Sequence, residues 1–108
     1  MTAQIRTLDE LDGKPHANPF PNSEPKTIRL TLEAGEAVPP HAHPGRQIVC
    51  YLVEGELELT LGDDTHQLAA GDIARFEGDQ QIAPEAIEDS TAVLVLAPAA
   101  DTDNQSRR

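Results

Sequence analysis

The chain has no tryptophan, one tyrosine and two phenylalanines among its 108 residues. Its core therefore has to be built from Leu, Ile, Val and Ala. Lysine is equally scarce. Lys14 and Lys26 with six arginines face 19 acidic residues, for a formal net charge of −11. Such a field repels a nucleic-acid duplex or an anionic membrane, which excludes both as partners. Few lysines and many acids also suit a protein kept soluble in strong salt, where screening removes self-repulsion. A halophilic source thus stands beside an ordinary acidic cytosolic protein. The single cysteine, Cys50, excludes an intrachain disulfide and any zinc-finger spacing. Set among Ile48, Val49, Tyr51 and Leu52, it reads as a buried, inert thiol. No apolar run approaches the ~18 residues of a membrane span, and the N-terminus carries no signal-peptide pattern, so a soluble, cytoplasmic protein is expected. A P-loop, a dinucleotide fingerprint and a nucleophilic triad are all absent.

What the chain does have is punctuation. Nine prolines and seven glycines separate short apolar runs, the pattern of an all-β domain with many turns. One domain of this length buries about two thirds of its unfolded surface. Residues 1–25 read as a polar, proline-dotted arm with a short helical turn near Thr7 to Leu11. His16 is a surface or edge-strand residue there, able to ligate a metal only if the arm folds over the body. Residues 26–98 carry the strands, and 99–108 read as a frayed tail.

Strands are expected at Thr27–Glu33, Gln47–Val53, Glu56–Leu61, Thr65–Ala69, Ile73–Phe76, Ile82–Ile87 and Thr91–Ala97. Most alternate apolar and polar residues. Gln47–Val53 instead is apolar on both faces, which calls for a second covering layer: the arm, or a partner subunit in a two-fold homodimer. His66 reads as an exposed strand residue.

The stretch Gly35 to Gly55 holds the densest chemistry. His41 and His43 are two residues apart, so on an extended backbone both imidazoles enter one space, the usual beginning of a metal site. Gly35, five residues, His41-x-His43 and a closing Gly55 resemble the first motif of the cupin family. Its Glu position falls on Gln47 after a three-residue gap or on Ile48 after four. From Gly71, the second motif would place its His at Ile82 and its Asn at Ala86. The resemblance covers about residues 26–98.

The resemblance implies a cupin-type jelly-roll β-barrel, or double-stranded β-helix. In metal-binding members three His and one Glu hold Fe, Mn, Ni, Zn or a similar ion, Cu among them here. Carried over, it gives His41, His43 and Gln47 as metal ligands. Gln80, Gln81 or Glu77 are conceivable substitutes for the lost donors. Tyr51, Arg46 and Ile82 are candidates to meet a small molecule in the barrel, Arg46 through a carboxylate or phosphate. Three functions remain open: a metal-dependent enzyme (dioxygenase, isomerase or lyase) acting on a small polar metabolite, a non-catalytic small-molecule binder, or a dimeric barrel with a vestigial pocket.

Overall fold

The alternating runs become eight antiparallel strands in the computed structural model, which describes residues 3–99. They are β1 (His16–Ala17), β2 (Lys26–Leu32), β3 (Arg46–Glu54), β4 (Glu56–Leu61), β5 (Asp64–Ala69), β6 (Ile73–Glu77), β7 (Ile82–Ala86) and β8 (Ser90–Pro98). A 3-10 turn at Leu8–Glu10 occupies the expected helical turn of the arm. From residue 100 onward the expected tail lies outside the described residues.

One sheet runs β1-β2-β8-β3-β6 and the other β5-β4-β7. The expected all-β jelly roll is therefore observed. Between the sheets lie Leu30 and Leu32 of β2, Ile48, Cys50 and Leu52 of β3, Leu57 and Leu59 of β4, Phe76 of β6, Ile82 and Ala86 of β7, and Ala92 and Leu96 of β8. Burying each larger aliphatic side chain here contributes roughly 1.5–3 kcal/mol. Gly55 turns β3 into β4 at φ 93°, where a Cβ would collide with the Asp89 carbonyl oxygen and Ser90 Oγ.

The doubly apolar strand β3 does bury one face only. Ile48, Cys50 and Leu52 point inward, whereas Val49 and Tyr51 point out. Tyr51 stands opposite Ile73 on β6 and Val93 on β8, and these two outer-face residues, Tyr51 and Ile73, remain 42% and 69% exposed. The arm covers a different strand. On β2, Arg29 is 6% exposed, and its guanidinium donates to the carbonyl oxygens of Leu8 at 2.7 Å and Gly13 at 2.8 Å. Those bonds hold the arm against the outside of β2 and carry β1 to the sheet edge.

Two local pairings then set up the barrel mouth. β1 joins β2 with His16 opposite Leu30 and Ala17 opposite Arg29, and Thr31 N–H donates to the Pro15 carbonyl at 2.8 Å. The Gly35 to His41 segment runs antiparallel to β7. Gly35 N–H donates to Ala86, Val38 N–H to Pro84 and His41 N–H to Ile82, at 2.8, 3.0 and 3.1 Å. Pro39 and Pro40 interrupt that ladder because they have no N–H to give.

Candidate metal and ligand site at the barrel mouth

His41 and His43 do share one space. Their ring centroids are 4.9 Å apart with planes at 86°, an edge-to-face contact. His41 Nδ1 lies 2.9 Å from the Pro39 carbonyl oxygen. A carbonyl only accepts, so Nδ1 is the donor in this contact, and the neutral ring would present its lone pair at Nε2. Imidazoles that bind metals are commonly oriented by such a bond.

His43 is fixed by the loop between β6 and β7. Its N–H donates to the Gly78 carbonyl at 2.8 Å, and Gly78 N–H donates to the Arg46 carbonyl at 2.8 Å. The Gly45 N–H donates to Asp79 Oδ1 at 2.9 Å. A Cβ on Gly78 would run into the His43 carbonyl oxygen, so this close approach needs glycine. Gly78 and Asp79 were readable from the sequence only as a turn; their grip on the histidine loop depends on a pairing across the fold.

A third histidine enters the same space. His16 stands opposite Leu30, an inward-facing core residue, and opposite residues of an antiparallel pair share a face. It lines, with His41 and His43, an inner cavity of about 30 Å³ whose other walls are Ile28, Leu30, Cys50, Leu57, Leu59, Ile82, Pro84, Leu94 and Leu96. The same three histidines border an outer groove of about 590 Å³, joined by Asn18, Lys26, Ile28 and the Val38 to Pro40 segment. The sequence made His16 conditional on the arm reaching the mouth, and the arm does. A two-residue strand offers no periodicity from which this could be read.

Burial and neighbouring positive charge disfavour the protonated forms of His16 and His43. Burial, followed by the proximity of His41 and Lys26, lowers the pKa of His16. Burial first, then His41, Lys26, Arg46 and His16, lowers that of His43. Burial pushes the Cys50 thiol up to about 11, so at neutral pH it is a lining thiol and not a thiolate donor.

The remaining expected site residues go elsewhere. Gln47 faces outward, donating through Nε2 to the Pro98 carbonyl at 3.0 Å and accepting at Oε1 from Arg75 at 2.7 Å. The expectation that it joins the histidines is corrected: the inward residue is its neighbour Ile48. Tyr51 is likewise corrected, since its strand parity matches Gln47 and it points to the exposed outer face. Arg46 is held by Glu24 through contacts of 2.8 and 3.1 Å and donates to the Leu96 carbonyl at 2.8 Å. That bond holds the exposed Glu24 carboxyl below its ordinary pKa. Lys26, not Arg46, is the cation bordering the groove.

Ile82 is where the resemblance puts it, bridged to His41 and lining the cavity, but as a hydrocarbon wall. None of the substitutes comes in: Gln80 donates to the Glu77 carbonyl at 2.9 Å, Glu77 pairs with Arg75 at 3.1 Å, and Gln81 is exposed outside the cavity. His66 is an exposed strand residue, as expected.

The donors present suit a metal of a particular kind. Imidazoles beside a protonated thiol, with no carboxylate in the cavity wall, match Zn, Cu, Ni or Fe(II) better than the oxygen-seeking Mn. Among the described residues no three His, Cys, Asp or Glu side chains already stand together in metal-binding geometry. No helix among the described residues is long and apolar enough to cross a membrane.

Comparison with known proteins agrees with this architecture. A double-stranded β-helix protein from Klebsiella pneumoniae superposes with a TM-score of 0.74 at 23% identity, covering 90% of this chain and 91% of that one. An RmlC-like cupin from Shewanella frigidimarina gives 0.74 at 18% identity over 93% and 95%. KdgF from a Halomonas species gives 0.62 at 23% identity over 70% of each chain. At these identities the likeness shows the fold alone. No curated protein matches the sequence. The cupin domain profile, however, matches residues 28–98, which spans β2 to β8 and both histidines of the first motif. The chain belongs to the cupin family.

Proposed function

We propose that this cupin holds a divalent transition metal at its barrel mouth through His41 and His43, and that the metal receives a small polar metabolite from the groove. The observation that carries this reading is the pair itself. Two imidazoles meet at 4.9 Å in a cavity whose other walls are hydrocarbon, the Cys50 thiol and His16, and His41 is oriented by its bond to Pro39. A metal bound there supplies a Lewis acid with open positions for water or substrate oxygen.

The chain's own part is binding and orientation. His41 and His43 fix the ion, Lys26 offers a charge to an anionic group, and Asn18 offers an amide beside it. Ile28, Val38 and the prolines give the groove an apolar side that limits water around the ligand. The acidic surface as a whole raises the local concentration of divalent cations.

Elemental analysis of protein purified without chelator, and again after incubation with Zn, Cu, Ni or Fe(II), tests the reading. Near-stoichiometric metal that vanishes in a folded His41→Ala/His43→Ala variant is expected. No binding of any of these metals by the wild type would overturn it.

A second reading has its own support. Ile48 and Ile82 fill both positions from which the resemblance would draw the remaining donors, which suits a barrel that binds a small molecule without metal. Ligand binding that survives chelation would favour it. We also propose that two copies associate through the outer face of β6, β3 and β8, where Tyr51, Ile73, Val93 and Val95 lie side by side. The Arg75–Glu77 pair beside them leaves this face with little net charge, so two strongly acidic chains can meet there.

A further inference from the structure

Resting on that reading of the mouth, we infer that His16, delivered by arm strand β1, is the third protein ligand of the metal held by His41 and His43. Three of the four histidines in the chain line one small cavity, and every other wall except the Cys50 thiol is apolar. These three half-buried or exposed imidazoles are the cavity's nitrogen donors, and they converge on one space.

The placement of His16 follows from register. Because it pairs with Leu30, its side chain shares the barrel-facing side of the larger sheet, while Ala17 turns to the arm's underside opposite Arg29. A slip of one residue would reverse this. Fastenings on the outside of β2 hold the register: Arg29 to Leu8 and Gly13, and Thr31 to Pro15. A buried arginine used to pin an otherwise polar arm is an expensive device, and its effect is to bring one imidazole to the mouth.

His16 also answers the loss at Ile82. That side chain is bridged to His41 and offers no donor, so a two-histidine site would be left with a hydrocarbon wall on the smaller sheet. His16 approaches from the edge of the larger sheet instead. Such a three-imidazole set would bring no charge of its own and would let a bound metal offer Lewis acidity to water or a ligand from the groove. Among the described residues the three rings do not stand at ligating separation, so binding would require the exposed His16 side chain to swing toward the pair while the fastened β1 backbone keeps its register.

The test is titration of metal-free protein with Cu²⁺ and Co²⁺, read by chelator competition and by the Cu²⁺ electron paramagnetic resonance and Co²⁺ d–d spectra. His16→Ala should weaken binding by at least about tenfold, the scale seen even when only an outer partner of a ligand is lost, and remove one nitrogen from the Cu²⁺ hyperfine pattern. His16→Gln, which keeps the side chain polar and similar in reach, should show the same spectral loss. Adding Ile82→His to His16→Ala should restore affinity, and His66→Ala should change nothing. Wild-type affinity and spectra in folded His16→Ala, with binding abolished in His41→Ala/His43→Ala, would overturn the role of His16 while leaving the two-histidine site intact. Absence of metal binding by the wild type would overturn the underlying reading and this inference with it.

Discussion

His41 and Ile82 are direct partners in an antiparallel bridge: His41 N–H donates to the Ile82 carbonyl at 3.1 Å, and Ile82 N–H returns to the His41 carbonyl at 2.6 Å. Side chains opposite each other in such a pair lie about 4.5–5.5 Å apart at Cβ. An imidazole at 82 would therefore reach the space that His41 Nε2 faces. Ile82→His is expected to tighten metal binding by at least about tenfold, measured by chelator competition. It would also cost stability, because a buried aliphatic side chain worth roughly 1.5–3 kcal/mol is exchanged for a polar one. Unchanged affinity in a folded variant would place the metal away from His41.

Gln47→Glu makes the complementary control. Its carboxylate would sit on the outer face beside Arg75, within reach of the 2.7 Å contact Gln47 makes now, and not beside the histidines. Metal affinity should be unchanged, while Arg75 gains a charged partner worth at most about 1 kcal/mol at such an exposed position. A marked rise in metal affinity would show that β3 can turn this face inward.

This contrast shows what could be read in the sequence. Alternation in Ile28, Leu30 and Leu32 and in Leu57, Leu59 and Leu61 names both the strands and their buried faces, because period two admits one solution once one face is apolar. Family spacing located His41 and His43. In β3 the rule loses its hold: Ile48 to Val53 is apolar at every position, so parity was set by spacing to the histidines, and a one-residue difference exchanged Gln47 for Ile48. Arg46 was ambiguous for another reason. With so many acids available, only the fold decides that Glu24 captures it. His16 needed tertiary knowledge outright, since Arg29 lies 13 positions along the chain from it and dictates where the arm runs.

Cys50 should be inert. Its thiol is buried and pushed from an ordinary value near 9 to about 11. Native protein at pH 8 is expected to resist an aromatic disulfide reagent and to react fully once unfolded. The folded-state value lies above the unfolded one, so the associated stability is present below pH 9 and is lost as pH rises from 9 toward 11. Denaturant midpoints measured across that window should fall in the wild type more than in Cys50→Ala. Rapid labelling of native protein would mean that the barrel opens at this strand.

Gly55 should tolerate no side chain. Left-handed backbone costs a non-glycine residue on the order of 1–3 kcal/mol, and the collision with Asp89 and Ser90 adds to that. Ser90 Oγ accepts from Glu56 N–H and has its single proton within reach of the Glu88 and Glu56 carbonyls at 2.8 and 3.1 Å, so displacing it breaks the join between the two sheets. Gly55→Ala is expected to lower the urea midpoint strongly. Gly71→Ala, also at positive φ but with open space around it, should lower it less. Equal losses would mean that backbone conformation, and not the collision, sets the penalty.

The outer face of β3 makes the last prediction. Ile73 is 69% exposed beside Tyr51, and covering it in both copies would contribute a few kcal/mol at roughly 1.5–3 kcal/mol per side chain. Light scattering should therefore give about twice the chain mass of 11.6 kDa at micromolar concentration. Ile73→Glu should shift this to the monomer, because closing the interface would strand a carboxylate among Tyr51, Val93 and Val95. Each copy carries −11, so raising the ionic strength should strengthen wild-type association by screening the repulsion between them. An interface held by ion pairs would weaken under the same change. A wild-type monomer at every ionic strength would remove the dimer and leave this patch for a different partner.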